Sequence, residues 1–243
     1  RHAHAADLLR RAQYSEWRFL LCHASHHFPF DVLDANVFIR RHLIAVVSWE
    51  STLLLDRVHR ILVDHAGGSR LLVDHLWECG HRRLLLAGPS AMFARADQWD
   101  GRGRCPLENN VQLAGFARMW RWRGGSFARL ECYTLRPRTP PCFEEHDLGV
   151  LSGPDAPTAV VGIRDVDAWS AQETIRGWRP SLLRRLVFLG NGDTPWSQTS
   201  HPPFTTLDWN LAILVDHVTT IIGNIVTGKR YSRPTLRLVT PRL

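Results

Sequence analysis

Residues 187–207, VFLGNGDTPWSQTSHPPFTTL, constrain the fold more than any other stretch of this 243-residue chain. Val187, Phe188 and Leu189 form the short apolar run expected of a strand buried on both faces, and Gly190, Asn191 and Gly192 then permit a tight turn with positive φ. The strand therefore opens into a loop, Asp193 to Trp196, before a Pro-Pro-aromatic-Thr-Thr return. In parallel α/β sheets the loops at the carboxyl ends of strands build the ligand crevice, which places this loop where a small molecule is met.

The same kind of apolar run recurs at Phe19 to Leu21, Leu43 to Val47, Leu53 to Leu55, Ile61 to Val63, Leu84 to Ala87 and Ala159 to Ile163, with helical patterns between several of them. That alternation predicts an α/β fold, a mainly parallel sheet with helices on both faces. Ser69 to Cys79 is the clearest helix: Leu71, Leu72, His75, Leu76 and Cys79 share a face, and Gly80 stands where a helix-ending glycine belongs. His81, Arg82 and Arg83 read as a solvated exit that complements the helix dipole.

Four collinear blocks resemble the LacI-type transcriptional regulators in their effector-binding core. Residues 187–207 are similar to that family's VxxxGxDDTPWAxxxxPPLTT pattern, and Leu62 to Pro89 to its VDNxxGxxxAxxHLxxLGHRRIxxIxGP block, with Gly80, His81, Arg82, Arg83, Gly88 and Pro89 in place. Leu113 to Phe116 matches LAGF, and Pro157 to Ala168, PTAVVGIRDVDA, matches PTAVxAxNDxxA. The resemblance implies a two-lobed, periplasmic-binding-protein-like (type I) fold with parallel sheets flanked by helices. An amino-terminal lobe over 1–88 would also receive part of the carboxyl-terminal segment, 89–208 would form the carboxyl-terminal lobe, and 209–243 a crossover and terminal segment. The family's first strand has no counterpart, since the chain enters a helix directly at Ala5 to Gln13. Val47 to Leu55 likewise leaves no room for the crossover helix that parallel strands require. The intact motifs on either side favour omission of segments over their loss.

A formal charge of +7 invites an acidic partner such as nucleic acid, although 29 of the 30 basic residues are arginine, a skew that a GC-rich genome also produces. Arg118, Arg121 and Arg123 interleaved with Trp120 and Trp122 form either a phosphate-binding, base-stacking surface or a helix end with solvated arginines beside half-buried tryptophans. Five cysteines without C-x-x-C spacing argue against a disulfide framework and for a reducing cytoplasm. No run is long and apolar enough to span a membrane. A metal cluster at His2, His4, His23, His26 and His27 lacks Cys or carboxylate ligands at suitable spacing, and Glu144, Glu145 and Asp147 read as a solvated helix start. Nucleotide-loop, nucleophile-elbow and H-E-x-x-H motifs are missing, so neither an enzyme nor a cofactor is expected.

The resemblance also implies a pocket. Asp56 stands at the aspartate that follows the family's LxLD strand, and Tyr133 is the nearest candidate for its stacking aromatic. Gln112 replaces the arginine two residues before AGF, Arg164 replaces the asparagine of AND, and Gly192 replaces the first aspartate of GxDD, leaving Asp165 and Asp193. Trp209 stands where the family usually has a polar residue. The expected crevice is thus Asp56, Gln112, Tyr133, Arg164, Asp193 and Trp209. Arginine at 164 adds a permanent cation with five donors, which favours a carboxylated or phosphorylated sugar, unless it pairs internally with Asp56 or Asp193 in a filled pocket. The expected function is the effector-sensing core of a homodimeric, cytoplasmic regulator that reaches operator DNA through a module outside this chain. The alternative is a secreted sugar-binding protein serving a transporter.

Overall fold

The computed structural model describes residues 20–24, 44–48, 59–90, 92–93, 108–132, 143, 145–229 and 235–243. Leu53 to Leu55 and the helix expected over Ala5 to Gln13 lie outside them. The chain forms two compact units, with Arg1–Asp64, Pro106–Glu108 and Asn210–Thr240 in the first, and His65–Cys105, Asn109–Trp209 and Pro241–Leu243 in the second.

The first unit carries a parallel sheet of β1 (Leu20–Ala24), β2 (Ile44–Ser48), β3 (His59–Val63) and β9 (Leu236–Val239), in that order. Leu20 aligns with Ile44, Ala45 with His59 and Arg60 with Leu236. Helix α5 (Leu211–Val226) packs on this sheet through Leu214 and Ile221, two turns apart on one stripe. At the start of β3, buried His59 takes the Thr235 backbone N–H on its Nδ1 at 3.0 Å.

In the second unit five parallel strands run in the order β5-β4-β6-β7-β8. They are β4 (Arg83–Pro89), β5 (Ser126–Cys132), β6 (Ala159–Gly162), β7 (Val187–Asn191) and β8 (Thr205–Leu207). Period-two alternation divides β4 between the two faces of the sheet. Leu84 and Leu86 pack under α1 (His65–Glu78) and α2 (Glu108–Trp122), against Leu72, Val73, Leu76, Phe116 and Trp120. Leu85 and Ala87 pack with Ala171 and Ile175 of α3 (Asp165–Trp178) on the other face. A short helix α4 (Pro195–Thr199) joins β7 to β8.

The units divide after Asp64 rather than after Gly88, because β4 is hydrogen-bonded on both sides, to β5 and β6, and α1 packs on that sheet. Helix α1 begins at His65 rather than Ser69, and its buried face runs through Ser69, Leu72, Val73 and Leu76 while Cys79 is exposed. Gly80 does end it: its φ is +84°, its N–H donates to Trp77 O, and His81 N–H reaches back to Leu76 O at 3.0 Å, the paired bonds of a Schellman motif. Trp120, for which the sequence left a stacking surface or a half-buried position open, is fully buried and stacks on Phe116.

Candidate ligand site

The carboxyl ends of β6, β7 and β8 share one edge of the second unit, and the first turns of α2 and α3 meet them there. Asn191, the last residue of β7, is the centre of this edge. Its Oδ1 accepts the Trp209 indole N–H at 2.7 Å and the Gln112 amide N–H at 3.3 Å. Its Nδ2 donates to Gln112 Oε1 at 2.9 Å and to the Ile163 carbonyl at 3.1 Å. An asparagine side chain has two acceptor and two donor capacities, so Asn191 is fully satisfied. Its orientation is set unambiguously, since an indole N–H only donates and a carbonyl only accepts.

Gln112 is held from behind as well: its backbone carbonyl accepts from Ser69 Oγ at 3.0 Å, which joins α1 to α2. Beside the two amides lies a recess of about 30 Å³, walled otherwise by apolar side chains that include Leu72, Leu113, Phe116 and Ile163. That volume holds a water or two. Trp209 is half-buried and meets the His65 ring edge-on at 6.4 Å.

Arg164 precedes α3. Its Nε and Nη2 donate to the two oxygens of Asp167 at 3.0 and 2.7 Å, and its backbone N–H donates to Asp167 Oδ2 at 3.0 Å. Asp167 is wholly buried; burial pushes its carboxyl above the usual carboxylate range, while the arginine fork pulls the other way. Arg164 therefore pairs with Asp167, where the sequence offered Asp56 or Asp193 as the alternative to a ligand; Asp56 lies outside the described residues. An arginine three residues before an aspartate at a helix start was the legible signal for this pairing.

Asp165 fastens the edge. Its Oδ2 accepts the Thr194 backbone N–H and hydroxyl at 2.6 and 2.8 Å, and its Oδ1 accepts the Thr206 hydroxyl at 2.6 Å. One carboxylate thus binds α3, the turn after β7 and strand β8. Within that turn Gly192 and Asp193 have positive φ, +132° and +49°, whereas Gly190 does not. Gly190 is needed for a different reason: a Cβ there would overlap Asp165 Oδ1.

Of the six residues expected to line a crevice, Gln112 and Trp209 meet at Asn191, and Arg164 stands next to Ile163, which accepts from Asn191. Asp193 is exposed, its N–H donating to Thr206 Oγ1 at 3.2 Å. Asp56 and Tyr133 lie outside the described residues. Asn191 itself was missed, because it occupies a position that the family pattern leaves open.

No protein-family profile matches the chain, and no curated protein sequence does. Solved structures do. A LacI family transcriptional regulator from Enterococcus faecium with bound ribose aligns with a TM-score of 0.70 at 14% identity, over 99% of this chain and 81% of its own. The lactose repressor bound to an anti-inducer aligns at 0.64 and 19% identity, over 99% and 80%. A CelR regulator–cellobiose complex aligns at 0.67 and 16%, over 98% and 68%. The fold is that of the LacI-type effector-binding core. These LacI-type neighbours are regulators rather than enzymes. Among the described residues no helix is long and apolar enough to cross a membrane.

Proposed function

We propose that this chain is the effector-sensing core of a LacI-type transcriptional regulator. It binds a sugar-like small molecule and works as a cytoplasmic homodimer that reaches operator DNA through a module outside this chain. The observation that carries this reading is the convergence of Gln112, Asn191 and Trp209 on the carboxyl edge of a parallel sheet, in a fold shared with ribose- and cellobiose-bound regulators. Open α/β sheets take their ligands at that edge. An amide pair and an indole suit a hydroxyl-rich ring: the Gln112 amide offers a donor and an acceptor, and the indole offers a face on which sugar C–H groups pack.

The effector in this reading is neutral. Arg164 alone favours a sugar acid, but Asp167 offsets its charge through two hydrogen bonds, so an anionic ligand finds a compensated ion pair there. A thermal-shift panel of ribose, glucose, cellobiose, glucuronate, ribose 5-phosphate and a purine tests the reading. A ligand at a hundred times its Kd stabilises the fold by about 2.7 kcal/mol, a readable shift. A neutral sugar should give the largest shift. A larger shift from the acidic sugars, abolished in Arg164→Ala, would restore the acidic effector; no shift from any sugar would remove the sensing role.

A further inference from the structure

Arginines gather at the opposite end of the second unit, where its strands begin. In a parallel sheet with returning helices, strand starts and helix ends share one edge. Backbone bonds fix this edge as a row: Ser126 N–H donates to Arg82 O at 2.9 Å, Thr158 N–H to Arg83 O at 3.0 Å, and Val187 N–H to Thr158 O at 3.2 Å. The starts of β5, β4, β6 and β7 therefore stand side by side across roughly 14 Å. Residues 74–83, 118–126, 155–158 and 173–187, which build this end, carry nine arginines against four carboxylates.

Three of the four carboxylates are already paired, Asp74 with Arg123, Asp155 with Arg83 and Glu173 with Arg176. Among the described residues Arg82, Arg118, Arg121, Arg184 and Arg185 have no carboxylate partner, and all five are exposed. Arg82 and Arg121 lie over the rings of Trp77 and Phe127, at 3.8 and 4.5 Å, which holds their charge at the surface. Trp122, one turn beyond Arg118 on α2, is 83% exposed. Helix dipoles account for cations in the last turn of a helix, and so for Arg184 and Arg185 at the end of the 3-10 turn Pro180–Arg184; they do not account for a bare indole among arginines.

We infer that this end is a binding surface for single-stranded nucleic acid, with Trp122 stacking on a base and Arg118, Arg121, Arg184 and Arg185 taking phosphates along the row. Stacking needs an open base face, which a duplex lacks, so the exposed indole selects the single strand. An acidic protein would satisfy the arginines and leave the indole unused.

Fluorescence anisotropy of a labelled oligothymidylate, about twelve nucleotides long, with the whole chain tests this at about 50 and about 200 mM salt. The oligonucleotide should bind, more weakly at the higher salt, and quench tryptophan emission. Trp122→Ala should weaken binding about tenfold with the salt slope kept, and Arg118→Gln with Arg121→Gln should flatten that slope by about 1.4. All three positions are exposed, and an unchanged melting temperature verifies the fold of each variant. Absence of binding at the lower salt, indifference to Trp122→Ala, or equal competition by polyglutamate would overturn the inference.

Discussion

Asp165 does at the residue scale what a longer loop would otherwise need several contacts to do. Its two oxygens hold three donors from two separate segments, at 2.6 to 2.8 Å, and the approach they require leaves no room for a side chain at position 190. Gly190→Ala should therefore destabilise the fold by about 2 kcal/mol in urea unfolding, since the carboxylate is tied on three sides and cannot swing away. A loss under about 0.5 kcal/mol, the range of an ordinary surface change, would show that the approach is not tight. The turn was legible through its glycines, and the family resemblance singled out Gln112, Arg164 and Trp209. Their bonds, to Asn191 for Gln112 and Trp209 and to Asp167 for Arg164, did not follow from that resemblance. Asn191 was hidden because a polar residue at the end of an apolar run carries no periodic signal, and its importance arises only when α2 and β8 are folded against β7.

Elements with continuous apolar runs were legible as strands, since β3, β4, β6 and β7 have both faces covered or nearly so. Strand β5 was not, because Arg129 and Glu131 interrupt its apolar pattern at an edge of the sheet. Strand β9, with Leu236 and Leu238 half exposed, was missed for the same kind of reason. The pairing of β3 with the segment entering β9 carries a pH dependence. His59 Nδ1 accepts a backbone N–H and so bears no proton, and burial lowers the pKa of this ring. The unfolded chain thus binds a proton at about pH 6.5 that the folded chain refuses, and the stability lost to this group grows as pH falls below that value. Melting temperatures recorded from about pH 8 to about pH 5 should fall more steeply on the acid side in the native protein than in His59→Gln. Parallel acid limbs would mean that His59 titrates normally.

At the scale of the whole molecule, four motif blocks identified the fold although identity to the solved structures is only 13 to 19%. The division of the chain was harder to read. Motifs mark positions along a sequence, whereas membership of a sheet is decided by hydrogen bonds on both sides of a strand, and those assign β4 and α1 to the second unit. The return of 210–240 to the first unit follows from β9 pairing with β3. The proposed function assigns sensing to the edge where Gln112, Asn191 and Trp209 meet. Calorimetric titration of the chain with the neutral sugar that shifts its melting most is the most direct measurement of that claim. One site per chain is expected, with Gln112→Ala and Trp209→Ala each raising Kd about tenfold, the cost of one lost hydrogen bond or ring contact in a sheltered site. An unchanged Kd in both variants, each shown to be folded, would contradict the assignment of this edge as the effector site.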